Sequence, residues 1–201
     1  MINLTKGSTI DLSKASTKGL SSVCFGLDWG AIKTGGFFGF GSSVGSVDLD
    51  ATAIVYDTNK SVVDTVYFGK RQSDDRCIYH TGDDRGGDAE DDNSDNEVII
   101  VDLEKINSRA KYISFVLNSF SGQKFNDIPY VRLRVYSGKK NQPTEMLGKL
   151  ELSNDAEFNG SSAMVMGVVE NTSNGWIFKA IGKSTNDSDI SGLKRSSVQF
   201  L

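Results

Sequence analysis

The sequence predicts an all-β fold, an antiparallel two-sheet β-sandwich with few short helical turns. Three observations carry this reading. The apolar runs are short and rich in β-branched and aromatic residues, and Gly, Asn, Asp and Ser clusters separate them. Several runs alternate apolar and polar residues with a period of two, as a strand buried on one face requires. Long amphipathic helical patterns are missing, and regularly spaced short strands with turns between them suit a sandwich.

In chain order the predicted strands are Leu20–Leu27, Val47–Tyr56, Val62–Phe68, Glu97–Leu103, Tyr112–Asn118, Tyr130–Tyr136, Leu147–Leu152, Ala163–Glu170 and Trp176–Ile181. In Tyr130–Tyr136, Val131, Leu133 and Val135 share one face while Arg132 and Arg134 take the other. The run Val98-Ile-Ile-Val101 is continuous, as expected of a strand covered on both faces. The best helical pattern, Leu103–Ala110, supports a single turn. Residues 1–183 then form one sandwich domain and residues 184–201 a polar C-terminal stretch, which either docks as a final strand or stays loose.

Composition sets bounds on function. A chain of 201 residues with 38% hydrophobic residues has enough material for one core. A net charge of -4 argues against nonspecific nucleic-acid binding, which needs a basic face. No apolar stretch reaches the length of a membrane span, and the start Met1-Ile-Asn-Leu-Thr-Lys6 lacks the apolar region of a secretory signal. Two cysteines, Cys24 and Cys77, are too few for a disulfide scaffold, so a reducing, cytoplasmic setting is expected.

The segment most informative about chemistry is the acidic loop 82–97. It carries Asp83, Asp84, Asp88, Glu90, Asp91, Asp92, Asp95 and Glu97 against one cation, Arg85. Two carboxylates about 4 Å apart repel by roughly 4 kcal/mol at an effective dielectric near 20. Such a loop needs a counter-charge, and oxygen-only ligands of this number suit Ca²⁺ better than Mg²⁺. A solvated acidic tract without a ligand is the plainer alternative. A second acidic element, Asp48-Leu-Asp50, sets two carboxylates two residues apart on one strand face with no basic neighbour. A metal shared with the loop would explain the pair, and a solvent-facing pair at a sheet edge would too.

An EF-hand is excluded. Asp91, Asn93 and Asp95 occupy the first alternating positions of such a loop, but Asn96 stands where its glycine belongs and a strand follows. One His and two Cys give no zinc or iron site at usable spacing. Cys77 and His80 lie three apart without an orienting partner, so His80 reads as a structural hydrogen-bonding residue at the loop entrance. The Gly35–Gly41 insert, with Phe37, Phe38 and Phe40, reads as a hairpin tip or as an apolar patch for a partner or membrane surface. Arg132 and Arg134, with Lys139 and Lys140 beyond, read as a solvated basic face, or more sharply as a seat for an anion or an acidic partner.

These motifs together resemble the TerD family of tellurium-resistance and stress proteins. The resemblance rests on Gly26-Leu-Asp-Trp-Gly30, Asp48-Leu-Asp-Ala51, His80-Thr-Gly-Asp-Asp84, Asp95-Asn-Glu97, Val98-Ile-Ile-Val-Asp-Leu103 and Asn118-Ser-Phe-Ser-Gly-Gln-Lys-Phe-Asn126. The Gly–Phe insert looks most like the TerZ-type branch. The resemblance implies a cytoplasmic β-sandwich that binds Ca²⁺ and takes part in resistance to tellurite, phage or chemical stress, and the first reading is a non-enzymatic interaction module. Carried over by position, the metal residues are Asp48, Asp50, Asp83, Asp84, Asp95, Asn96 and Glu97. The implied partners are other stress-system proteins, TerD-family paralogues among them, with a peripheral membrane-associated complex as one setting.

Three departures stand out. Asp84 replaces the family Asn, the loop is three residues longer before Asp95, and Gly and Asp have exchanged places in Gly26–Gly30. That exchange keeps Asp28 on the same strand face but shifts it by about 7 Å. Two other readings use the same carboxylates: a metal-dependent hydrolase, and a structural assembly subunit stabilised by calcium.

Overall fold

The computed structural model describes residues 2–13, 22–34, 43–152 and 156–201. The Gly35–Gly41 insert lies outside them. Among the described residues are fourteen strands: β1 (Ile2–Asn3), β2 (Thr9–Asp11), β3 (Ser22–Trp29), β4 (Ile32–Thr34), β5 (Ser43–Gly45), β6 (Leu49–Tyr56), β7 (Val62–Val66), β8 (Ile78–His80), β9 (Glu97–Asp102), β10 (Tyr112–Ser119), β11 (Val131–Lys139), β12 (Gln142–Glu151), β13 (Ala163–Thr172) and β14 (Gly175–Thr185). One helix, α1 (Ile190–Ser197), follows them. The first sheet has the order β1-β12-β11-β3-β9-β8 and the second β2-β14-β13-β10-β6-β7, while β4 and β5 pair alone. All pairings are antiparallel except β1 with β12. The predicted sandwich is the observed fold.

Alternation in the sequence sets which face each strand buries. Phe25 and Leu27 of β3 and Val131, Leu133 and Val135 of β11 point inward from the first sheet. They meet Ala51, Ala53 and Val55 of β6 and Ile113, Phe115 and Leu117 of β10 from the second. Phe25 joins the layers, stacking on Phe115 at 3.9 Å between ring centroids with Phe178 at 5.6 Å. Each fully buried side chain of this size contributes about 1.5–3 kcal/mol, so this layer is the main stabilising element.

Even-numbered residues of β6 face outward, yet the strand is buried throughout. The cover is α1, whose Leu193 packs with Ile54, Tyr56, Val116, Ala163 and Val165. The Tyr56 hydroxyl donates to the Lys194 carbonyl at 2.9 Å and lies 2.7 Å from Ser197 Oγ. Asp189 caps the helix by accepting from the Gly192 N–H at 2.7 Å. The C-terminal stretch thus docks as a helix, where a final strand or a loose segment was expected. Leu103–Ala110 forms turns and no helix.

Candidate metal centre

Two acidic groups flank the end of the sandwich where β6 starts and β9 starts. The first is the Asp48–Asp50 pair joined by Asp83 of the acidic loop: one carboxylate oxygen from each lies within 4.8 Å of the others. Asp50, 5% exposed, sits on β6 opposite Asn118 of β10, whose amide lies 3.5 Å from its Oδ2. Burial, with Glu97, Asp48 and Asp83 close by, pushes the Asp50 carboxyl up to about 7. Asp48 moves in the same direction, from burial and from Asp83, with Arg85 pulling against it. Asp48 Oδ1 is buried and has no hydrogen-bond partner. Among the described residues the cation on this cluster is Arg85, whose exposed guanidinium holds Asp83 at 2.9 Å.

Behind the cluster lies Glu97, fully buried at the start of β9. Its Oε2 accepts from the Ala51 N–H at 3.0 Å, and its Oε1 accepts from the Asp84 N–H at 3.2 Å. His80 Nε2 is 3.2 Å from Oε2, and His80 Nδ1 accepts from the Gly82 N–H at 3.1 Å. With Nδ1 accepting, the proton of the neutral ring is on Nε2, which donates to Glu97. His80 is therefore the structural residue at the loop entrance that the sequence suggested. The Cys77 thiol instead donates to the Asp75 carbonyl at 3.4 Å.

The loop is braced from inside. Asp84 Oδ1 accepts from the Gly86 and Gly87 N–H groups at 2.9 and 3.2 Å, closing a turn, and its Oδ2 accepts from Asn96 at 3.3 Å. Asn96 also donates to Asp88 at 3.0 Å and accepts the Trp29 N–H at 2.8 Å. Gly87 has φ +70°, and a Cβ there would meet the Trp29 indole at 2.8 Å, so only glycine fits. Asp84 and Asn96 thus brace the loop, and Asp84 stands close enough to Asp48 to raise its carboxyl.

The second acidic group lies on the outer face of the first sheet. Here Arg132 and Arg134 are not a solvated face; the loop folds onto them. Arg134 Nε donates to Asp95 Oδ1 at 2.7 Å and its Nη1 to the Asn93 carbonyl at 2.6 Å. Arg132 bonds Asp91 at 2.5 Å and Asp28 at 3.2 Å, with its guanidinium 4.1 Å above the Tyr130 ring. Asp95, 3% exposed, also accepts from the Tyr136 hydroxyl at 2.7 Å, so both its oxygens are engaged away from the first cluster. Asp28 is buried against both arginines; burial pushes its carboxyl up to about 6 although Arg134 and Arg132 draw it down. Arg132 in turn holds the Asp91 carboxyl below its ordinary value. Part of the counter-charge the loop needs therefore comes from β11. The alternation that set both arginines outward was visible in the sequence, but the pairing of Arg132 with Asp28 across β11 and β3 was not.

With this geometry in view, relatives of known sequence and structure can be placed beside it. The TerD domain profile matches residues 1–196. The chain is 32% identical over 195 residues to the tellurium resistance protein TerZ of Serratia marcescens, covering 96% of this chain and 95% of that one. It is 30% identical over 204 residues to the stress response protein SCP2 of Bacillus subtilis strain 168, covering 96% of each. Among solved structures, a homologue of the telluride resistance protein TerD from Streptomyces coelicolor A3(2) superposes with a TM-score of 0.62 at 19% identity, over 88% of this chain and 96% of that one. A β-sandwich with an acidic loop folded over one end is the class these features define. The chain belongs to the TerD domain family, whose members here carry the names of tellurium-resistance and stress-response proteins.

Among the described residues no helix is long and apolar enough to cross a membrane.

Proposed function

We propose that this protein is a calcium-binding, non-enzymatic module of a cytoplasmic tellurium-resistance and stress-response system, working through protein partners that include TerD-family paralogues. The observation that carries the reading is the convergence of Asp48, Asp50 and Asp83, with carboxylate oxygens within 4.8 Å of one another. The donor set fits a hard cation. It is all oxygen, and among the described residues Asp48 Oδ1 is buried without a partner and this cluster has only the exposed Arg85 where the second acidic group has two arginines. Asp48, Asp50 and Asp83 would hold the ion, which supplies charge neutralisation at the mouth of the acidic loop.

The chain's own residues link that neutralisation to a surface. Asp83 adjoins Asp84, which braces the turn at Gly86 and Gly87, and the Asp84 N–H anchors on Glu97. A cation that draws Asp83 toward Asp48 and Asp50 therefore steadies the loop that a partner would meet.

Thermal unfolding of chelator-stripped protein with added Ca²⁺ or Mg²⁺ tests the reading. At a hundredfold excess over Kd, a ligand of the folded state adds about 2.7 kcal/mol. A rise in Tm with Ca²⁺ that exceeds the rise with Mg²⁺ supports the proposal. An unchanged Tm with both ions removes its basis.

A further inference from the structure

Asp50 borders more than the carboxylate cluster. It also lines an open cleft of about 400 Å³ together with Thr52, Tyr67, Phe68, Asn118 and Phe120, with the start of α1 contributing to its wall. That volume lies within the usual range of small-molecule sites. Its polar lining comes in equal parts from the outward faces of β6 and β10, where Asp50 pairs with Asn118, and from Ser188, Asp189 and Ser191 at the start of α1. Thr52 is 1% exposed and its hydroxyl has no hydrogen-bond partner. Among the described residues Phe120 is the most exposed large apolar side chain, at 69%. Its N–H donates to the Asp48 carbonyl at 2.9 Å, so the root of the ring is fixed to the segment that carries the carboxylates.

The chemistry of the lining selects a ligand class. Among the described residues no Lys or Arg lines the cleft, whereas Asp50 does, with Asp48 and Asp83 adjoining it. The other acidic lining residue, Asp189, is engaged as the cap of α1. An anion is repelled. A neutral apolar ligand would leave the buried Thr52 hydroxyl unpaired and add nothing to the long Asn118 contact of the Asp50 carboxyl, which is costly. An ammonium head on an aliphatic stem satisfies both: its N–H groups find oxygen acceptors, and its stem and charge lie against aromatic faces.

We propose that this cleft binds a small aliphatic ammonium, with its head at Asp50, Thr52 and Asn118 and its stem against Tyr67, Phe68 and Phe120. The site needs the negative charge of the cluster but not a selectivity for Ca²⁺. A cation held by Asp48, Asp50 and Asp83 would cancel that charge, so the two ligands compete.

The test is calorimetric titration of the chelator-stripped full chain with hexylammonium, with 1-hexanol as the neutral analogue of equal length. Hexylammonium should bind saturably and hexanol should not. Phe120→Ala, a change at an exposed position that leaves the fold intact, should weaken binding about threefold to tenfold. Asp50→Asn should abolish it. No binding of hexylammonium, equal binding of hexanol, or unchanged affinity in Phe120→Ala overturns the proposal. So does ammonium binding indifferent to a Ca²⁺ ion that itself binds. If hexylammonium binds and Ca²⁺ does not, the calcium reading fails and the ammonium site stands.

Discussion

Glu97 and Ala51 join the two sheets: the buried Glu97 carboxylate on β9 accepts the Ala51 N–H of β6 at 3.0 Å. The bond has a local cause. β7 pairs with β6 only from Ala53 onward, so among the described residues the start of β6 has no strand neighbour on that side. Glu97 supplies the missing acceptor and fixes the distance between the first sheet and the strand that carries Asp50. Replacing Glu97 with Ala leaves the Ala51 N–H and His80 Nε2 buried without their acceptor. The expected loss is about 2–4 kcal/mol in urea denaturation, with Glu97→Gln losing less because it keeps the acceptor oxygen. Equal stability of the Ala variant and the wild type would refute this role.

Arg134 anchors the far side of the loop. Removing it by Arg134→Met strands Asp95, nearly buried, with only Tyr136 as a side-chain partner. Breaking a buried pair from one side costs about 3–5 kcal/mol. Hydrogen exchange in residues 91–96 should accelerate in the same variant, since the Asn93 carbonyl also loses its donor. Unchanged exchange there would mean that other contacts hold the loop.

Asp50 gives the metal-free protein a pH dependence of defined sign. Its folded-state value, about 7, lies above the usual 3.8, so between them the folded protein holds more protons than the unfolded chain. Its contribution to stability is complete below about 4 and is lost as pH rises toward 7. Asp50→Asn should flatten that fall and stabilise the metal-free protein near neutral pH. Comparing the two proteins isolates Asp50 from Asp28, which is raised in the same direction. Parallel stability profiles from pH 4 to 8 would contradict the assignment.

Leu193 is the apolar anchor of helix α1, beside the hydrogen bonds of Tyr56 to Lys194 and Ser197. Leu193 is fully buried among Ile54, Tyr56, Val116, Ala163 and Val165. Leu193→Ala should cost about 2–5 kcal/mol in denaturant unfolding. A loss below about 0.5 kcal/mol would mean that α1 adds little to the sandwich.

The legible part of this fold was the part written in alternation. All nine expected strands formed, because runs such as Val131, Leu133 and Val135 commit one face to the core. β1, β2, β4, β5 and β8 are two or three residues long, too short for a period of two to register. α1 was missed because Ile190 and Leu193 are its only large apolar residues and Gly192 interrupts it; docking on Tyr56 and the Asp189 cap make the helix. At the site, the spacing of Asp48 and Asp50 located two of the three cluster residues, and the family resemblance supplied Asp83. That Asp83 joins them while Asp95 turns to Arg134 depends on loop path and strand pairing, which spacing does not encode.

If Asp48, Asp50 and Asp83 hold a calcium ion, its binding depends on them and not on the arginine-paired Asp91. Calorimetric titration of chelator-stripped protein with Ca²⁺, beside the double variant Asp50→Asn/Asp83→Asn and the loop variant Asp91→Asn, tests it most directly. Saturable binding in the wild type and in Asp91→Asn, lost in the double variant, is the predicted result. Binding that survives in the double variant, or none in the wild type, would contradict it.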